Sequence, residues 1–215
     1  NAQKSLNKIA MKTNSNSYTI VYSAVIVVVV AFLLAFVYQI LRPRQVANVA
    51  LDQKKQVLYS LNIRGLDDAA AEAKYNKVVK EEKTVDGSKM FVCDVDGNTK
   101  YVFSMSGMGL WGGISGFVSV NADKSTVYGA YFNHESETAG LGAEIKDNEK
   151  WQEKFQGKQL FKGGDRNSIA LSVQKKVTDP ATQVDAVTGA TLTSNGVAAM
   201  LHDGLGKFLP FLNTK

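Results

Sequence analysis

Met90-Phe91-Val92-Cys93-Asp94-Val95, then Asp96-Gly97-Asn98, then Tyr101-Val102-Phe103-Ser104-Met105: two apolar runs flank an Asp-Gly pair. This order reads as a β-hairpin, because Gly tolerates the positive φ that a tight turn requires. The signal repeats upstream, where residues 77–84 and 90–95 flank Asp86-Gly87. Downstream, residues 116–120 and 126–132 are joined by Asn121-Ala122-Asp123-Lys124, and residues 168–177 read as a further strand. Helical periodicity interrupts the strands. Residues 69–75 form a short helix, and residues 147–155 form another that stops at Gly157. In residues 194–209, Val197, Leu201, Leu205 and Phe208 fall on one stripe, and Pro210 closes the helix. Hairpins and helices without βαβ alternation predict an α+β fold: a mixed, largely antiparallel β-sheet domain flanked by helices.

The N-terminal part is of another kind. Residues 1–17 are polar, and Met11 is the expected natural start. Residues 18–41 are 24 residues without a charge, with Tyr18, Tyr22 and Tyr38 near the ends. A helix of that length crosses a hydrocarbon core of about 30 Å, and interfacial tyrosines suit its ends. A cleaved signal is the competing reading, but the apolar core is too long and no small-x-small site follows Leu41. Pro43 is expected to end the span, and residues 48–61 read as a separate juxtamembrane helix. The organisation expected is a polar segment (1–17), one transmembrane helix (18–41) and one domain (42–215).

Charge excludes some functions. The chain holds 25 basic and 20 acidic residues. Five of the basic residues (Lys4, Lys8, Lys12, Arg42, Arg44) lie within residues 1–44, which contain no acid, so the rest of the chain is balanced at 20 against 20. Nucleic-acid binding normally needs a clustered basic footprint on the binding domain, and none is visible. One cysteine, Cys93, and no Cys/His cluster leave no basis for a metal site or an internal disulfide. Cys93 reads as a small core residue. His202 falls off the apolar stripe of its helix and reads as an exposed residue.

Three stretches could carry chemistry. Gly107-Met108-Gly109-Leu110-Trp111-Gly112-Gly113 lets backbone approach something closely and offers a flat apolar surface. It lacks the strand–helix setting of a dinucleotide fingerprint, and a glycine-rich loop with a buried Trp is the plainer account. Asn133-His134-Glu135-Ser136-Glu137-Thr138-Ala139-Gly140-Leu141-Gly142 mixes polar groups with a lone leucine; a solvated turn accounts for it without invoking acid–base work. Asp185-Ala186-Val187-Thr188-Gly189-Ala190-Thr191-Leu192-Thr193-Ser194 is a hydroxyl-rich turn opening a helix. Free N–H groups there attract phosphate. No base accompanies Thr191 to make it a hydrolase nucleophile, and from composition alone it reads as a helix N-cap.

Asp185-Ala186-Val187-Thr188-Gly189-Ala190-Thr191 resembles the flavinylation motif Asp-x-x-(Ser/Thr)-Gly-Ala-Thr of flavin-carrying electron-transport subunits. Gly109-Leu110-Trp111-Gly112 and Glu137-Thr138-Ala139-Gly140-Leu141-Gly142 resemble two other signatures of the same group, in the same order. The domain is similar to the FMN-binding family found in the C subunits of Na⁺-translocating NADH:quinone reductases and in the G subunits of Rnf ferredoxin:NAD⁺ complexes. The resemblance covers residues 18–210. Ala139 departs from the proline expected there, which bears on loop stiffness more than on chemistry.

The resemblance implies FMN attached through its phosphate to Thr191 as a phosphoester, with Thr188, Gly189 and Ala190 around the phosphate. It implies that Leu110, Trp111, Gly112, Leu141 and Gly142 line the ring and that Glu137 and Thr138 bond its polar edge. It implies a membrane-anchored subunit that relays electrons within a respiratory complex. The partners implied are membrane, flavin and iron–sulfur subunits, and a flavin transferase for maturation. The family places this domain on the periplasmic face of the bacterial inner membrane. Charge points weakly the other way: Arg42, Arg44, Lys54 and Lys55 follow the span, and Lys12 alone precedes it if Met11 is the start. A flavin-free anchored interaction domain is the rival from another class.

Overall fold

A computed structural model describes residues 15–214. Met11 and all but the end of the polar segment lie outside the described residues. The chain divides into two units, with the boundary after Ala50.

The first helix, α1 (Asn16–Ser60), is 45 residues long and holds Pro43 inside it. Pro43 therefore does not end the helix, and the separate helix expected at 48–61 is its continuation. The proline's missing N–H and its ring disrupt one turn, at a cost of about 3 kcal/mol. The helix formers on both sides carry the helix through. Its apolar residues from Ile20 to Leu41 are exposed, and by length and composition the helix can cross a membrane.

In the second unit a five-stranded antiparallel sheet runs in sequence order. Its strands are β1 (Val79–Val85), β2 (Ser88–Val95), β3 (Asn98–Met108), β4 (Gly113–Asn121) and β5 (Val127–His134). The two Asp-Gly turns form as the sequence predicts: Asp86 and Gly87 have φ of 46° and 75°, Asp96 and Gly97 of 50° and 80°. Alternation sorts the strand residues between two cores. Tyr101, Phe103 and Met105 of β3 face one core, and Val102 faces the other. The first core lies under α5 (Thr191–Gly206), whose Val197, Leu201 and Leu205 are fully buried together with Phe208. The second is covered by Val57 and Leu61 at the end of α1 and by Val78. Val78 ends α2 (Asp68–Val78), which Asp67 caps by accepting the Ala70 N–H at 2.7 Å. Cys93 lies in this second core.

Three expectations need correction. The helix expected at 147–155 is two short pieces, α3 (Glu144–Asp147) and α4 (Glu149–Glu153). Asn148 is extended between them and caps the second piece through the Trp151 N–H at 3.1 Å. The strand expected at 168–177 shrinks to β6 (Ser172–Gln174), which pairs in parallel with β7 (Gln183–Asp185). The exposed pair Lys175 and Lys176 follows it, and Leu171 spends its N–H on Leu160. Pro210 does not close α5. It sits in the first turn of α6 (Leu209–Leu212), where its missing N–H costs nothing.

Candidate functional site

The β3–β4 turn, the loop after β5 and the start of α5 lie far apart in sequence and meet in space. The β3–β4 turn is tight: Gly109 N–H bonds Gly112 O at 2.9 Å. It is also pressed against α5. A Cβ on Gly196 would run into the Met108 carbonyl oxygen, and one on Gly107 would stand 2.9 Å from Met200 Cβ. The loop after β5 approaches α5 through Gly142, whose Cβ would be 2.6 Å from Thr193 Oγ1.

One carboxylate ties the three together. Glu137 is only 7 % exposed. Its Oε1 accepts the Trp111 N–H at 2.8 Å, and its Oε2 accepts the Thr193 hydroxyl at 2.5 Å. Its own N–H donates to His134 Nδ1 at 3.2 Å. Burial works to raise the Glu137 pKa. Hydrogen bonds from Thr193 and from the N–H groups of Trp111, Gly112 and Leu110 outweigh it and hold the carboxyl below its ordinary value. The solvated turn expected here holds for exposed Glu135 and fails for Glu137.

The hydroxyls of the third stretch separate by environment. Thr193 is buried and spends its hydrogen on Glu137. Ser194 is buried, and its oxygen accepts the Val187 N–H at 3.1 Å. Thr188 and Thr191 are exposed. Thr191 is not the N-cap: it is the first residue of α5, the cap is Ala190, and no side chain bonds the cap. The free N–H groups of this 16-residue helix therefore open beside Thr191. Gly189 takes φ +77° in the turn that leads there.

The three stretches that meet here all present exposed apolar side chains. Trp111 is 67 % exposed, and Leu110 and Leu141 are also exposed. The Trp is thus not the buried one that a plain glycine-rich loop would hold. Met108 and Leu192, 70 % and 59 % exposed, extend the same character; sequence reasoning passed over both. Their only signal was an apolar residue set between glycines and one set between two threonines. Gly112 gives room to the Ser136 hydroxyl. Thr138 is exposed and turns the loop, its carbonyl accepting from Leu141 and Ala143. On the other side of Thr188 lies a cleft of about 500 Å³, lined by Gly140, Lys150, Trp151, Lys154 and Asp185 among others. Lys154 holds Asp185, the first residue of the third stretch, at 2.8 Å.

Residues 109–206 match the family described as FMN-binding domain. The chain is 36 % identical over 167 residues to the C subunit of the Na(+)-translocating NADH-quinone reductase of Neisseria meningitidis, a match covering 74 % of this chain and 59 % of that protein. It is 46 % identical over 100 residues to the subunit of the same name from Haemophilus ducreyi, covering 46 % and 38 %. The chain thus spans less than two thirds of these curated relatives. A crystal structure of the C subunit of the Na(+)-translocating NADH-quinone reductase from Parabacteroides distasonis superposes with a TM-score of 0.74 at 35 % identity, over 81 % of this chain and 98 % of that one. The crystal structure of Shewanella oneidensis NqrC shares the fold, with a TM-score of 0.62 at 23 % identity over 76 % and 97 % of the two chains.

Proposed function

This chain belongs to the family formed by the C subunits of the Na⁺-translocating NADH-quinone reductases, and on that premise we propose that it is a membrane-anchored flavoprotein subunit that relays electrons through FMN bound covalently at Thr191. The observation that carries the reading is the sorting of hydroxyls. Thr193 and Ser194 are buried and engaged, whereas Thr191 is exposed at the open end of α5, and the loops brought against α5 carry the exposed apolar side chains of Leu110, Trp111 and Leu141.

The residues present suit FMN. An exposed hydroxyl can bond phosphorus, losing its proton as the phosphorus loses its former substituent. The N-terminus of α5 favours the phosphate charge by about 0.3–1 kcal/mol at an exposed position. Thr188, Gly189 and Ala190 form the turn beside it, and Thr138 offers a hydroxyl at the rim. The exposed apolar side chains, with Gly112 and Gly142 keeping their loops close, provide a bed for a flat ring. When bound, the flavin supplies the electron chemistry, and the chain's task is to hold and orient it.

The rest of the reading follows from the family. Residues 18–41 of α1 anchor the chain in the bacterial inner membrane as a single pass, with the flavin domain on the periplasmic side. NADH oxidation, quinone reduction and sodium movement require partner subunits carrying flavin and iron–sulfur centres, and a flavin transferase loads Thr191.

The test is a denaturing gel of the protein made together with a flavin transferase. A band fluorescent under ultraviolet light is expected from the wild type and none from Thr191→Val. A dark wild-type band refutes covalent FMN and favours a flavin-free interaction domain.

A further inference from the structure

Two glycines of the site do not make room for a ligand. A Cβ on Gly109 would stand 2.5 Å from Glu137 Oε1, and one on Gly142 would stand 2.5 Å from Glu137 Oε2. Both glycine-rich loops are shaped around the Glu137 carboxylate. Among the described residues, no lysine or arginine pairs with it. A buried carboxylate without a counter-charge is costly and persists only where hydrogen bonds replace water. Here the bonds come from two separate elements: the Trp111 N–H at 2.8 Å from the β3–β4 turn and the Thr193 hydroxyl at 2.5 Å from the first turn of α5. The first element carries the aromatic surface, and the second carries Thr191.

We propose that Glu137 is a positioning residue for the flavin: its carboxylate clamps the Trp111 loop to the first turn of α5 and so fixes the apolar bed relative to the Thr191 tether. The proposal rests on Thr191 as the attachment point. It gives Glu137 a task besides bonding the ring's polar edge, since each of its oxygens already accepts a hydrogen bond within the protein. Without the clamp the tether still forms, but the ring loses its defined seat. Losing one such bond to a charged group shifts the balance between seated and unseated loop by about tenfold or more.

The experiment uses the full-length protein loaded by a flavin transferase, with Glu137→Ala, Glu137→Gln and Thr193→Val beside the wild type. Gel fluorescence after denaturation reads the tether. Visible-range circular dichroism of the native flavin, and quenching of its fluorescence by iodide, read the seat. All four bands are expected to fluoresce. In Glu137→Ala the flavin dichroism weakens and iodide quenching rises severalfold. Glu137→Gln restores most of the wild-type signal, since its amide oxygen can accept from Trp111 while its NH₂ donates to Thr193. Thr193→Val removes one donor from outside the loop and moves both signals in the same direction as Glu137→Ala, so the proposal stays testable if Glu137→Ala does not fold. Wild-type dichroism and quenching in both Glu137→Ala and Thr193→Val overturn the proposal, as does a Glu137→Gln signal no better than that of Glu137→Ala. A dark wild-type band overturns the attachment reading, and this proposal with it; a bright wild-type band beside unchanged variant spectra overturns this proposal alone.

Discussion

Leu141 occupies the space that a side chain on Gly189 would need: a Cβ built there would stand 2.8 Å from Leu141 Cδ2. Gly189 also has φ +77°. Gly189→Ala therefore meets two penalties, a left-handed backbone costing about 1–2 kcal/mol and a displaced Leu141. Urea denaturation should show a loss of at least that backbone term, and flavin loading should fall because the turn before Thr191 is deformed.

The three threonines of the third stretch should respond differently to removal. Thr191→Val abolishes the fluorescent band with little change in stability, since the residue is exposed. Thr188→Val leaves the band in place. Thr193→Val keeps the band and lowers stability by about 1.5–3 kcal/mol through the bond lost from the Glu137 carboxylate. A bright Thr191→Val band would move the tether to another oxygen.

Gly196→Ala sets two effects against each other. Alanine in a helix interior gains about 1 kcal/mol over glycine. Its Cβ, however, would strike the Met108 carbonyl oxygen, a backbone atom that cannot swing aside. The clash should win: overpacking costs about 1–3 kcal/mol, which leaves a net loss of up to about 2 kcal/mol once the helix gain is subtracted. A higher melting temperature than wild type would show that the β3–β4 turn is not seated on α5.

Cys93 gives a chemical and a pH test. Burial pushes its thiol up to about 12. Iodoacetamide at pH 8 should leave it unlabelled in the folded protein and label it fully in urea, read by mass spectrometry. The sign for stability follows from linkage. The unfolded thiol ionises near pH 8.5, while the folded one keeps its proton to about 12. The contribution is therefore whole below about pH 8.5 and is lost as pH climbs from there towards 12. Burial also pushes Tyr75 and Tyr131 up to about 12, so they act in the same direction at higher pH.

Local chemistry was legible in the sequence, and long-range partnership was not. The Asp86-Gly87 and Asp96-Gly97 turns could be read because the residues that need positive φ are the turn itself. The stripe of Val197, Leu201 and Leu205 could be read because one helix face holds it, while Phe208 joins the same core from the turn after that helix. Pro43 misled because its local cost is real but its neighbours on both sides favour helix. The three-residue strand β6 has too little pattern of its own and exists because β7 lies beside it. The three stretches of the site could be picked out by composition, but not the carboxylate joining them. Glu137 looked like one more acid in a polar loop, since its partner Thr193 is 56 residues away. Exposed Met108 and Leu192 were missed because single apolar residues on a surface are ordinary; only their place on two of the stretches that meet at the site sets them apart.

The first strand of the sheet carries a last implication. Among the described residues β1 pairs with β2 alone, and no other strand lies along the far side of its backbone. That rim is set with Lys80, Glu81, Glu82 and Lys83, all outward and partly tied up in Lys83–Glu81 and Lys89–Glu82 pairs. A foreign strand settling there would have to strip water from a row of charges of both signs. The domain can therefore stand at high concentration beside other copies of itself without its sheet growing into theirs.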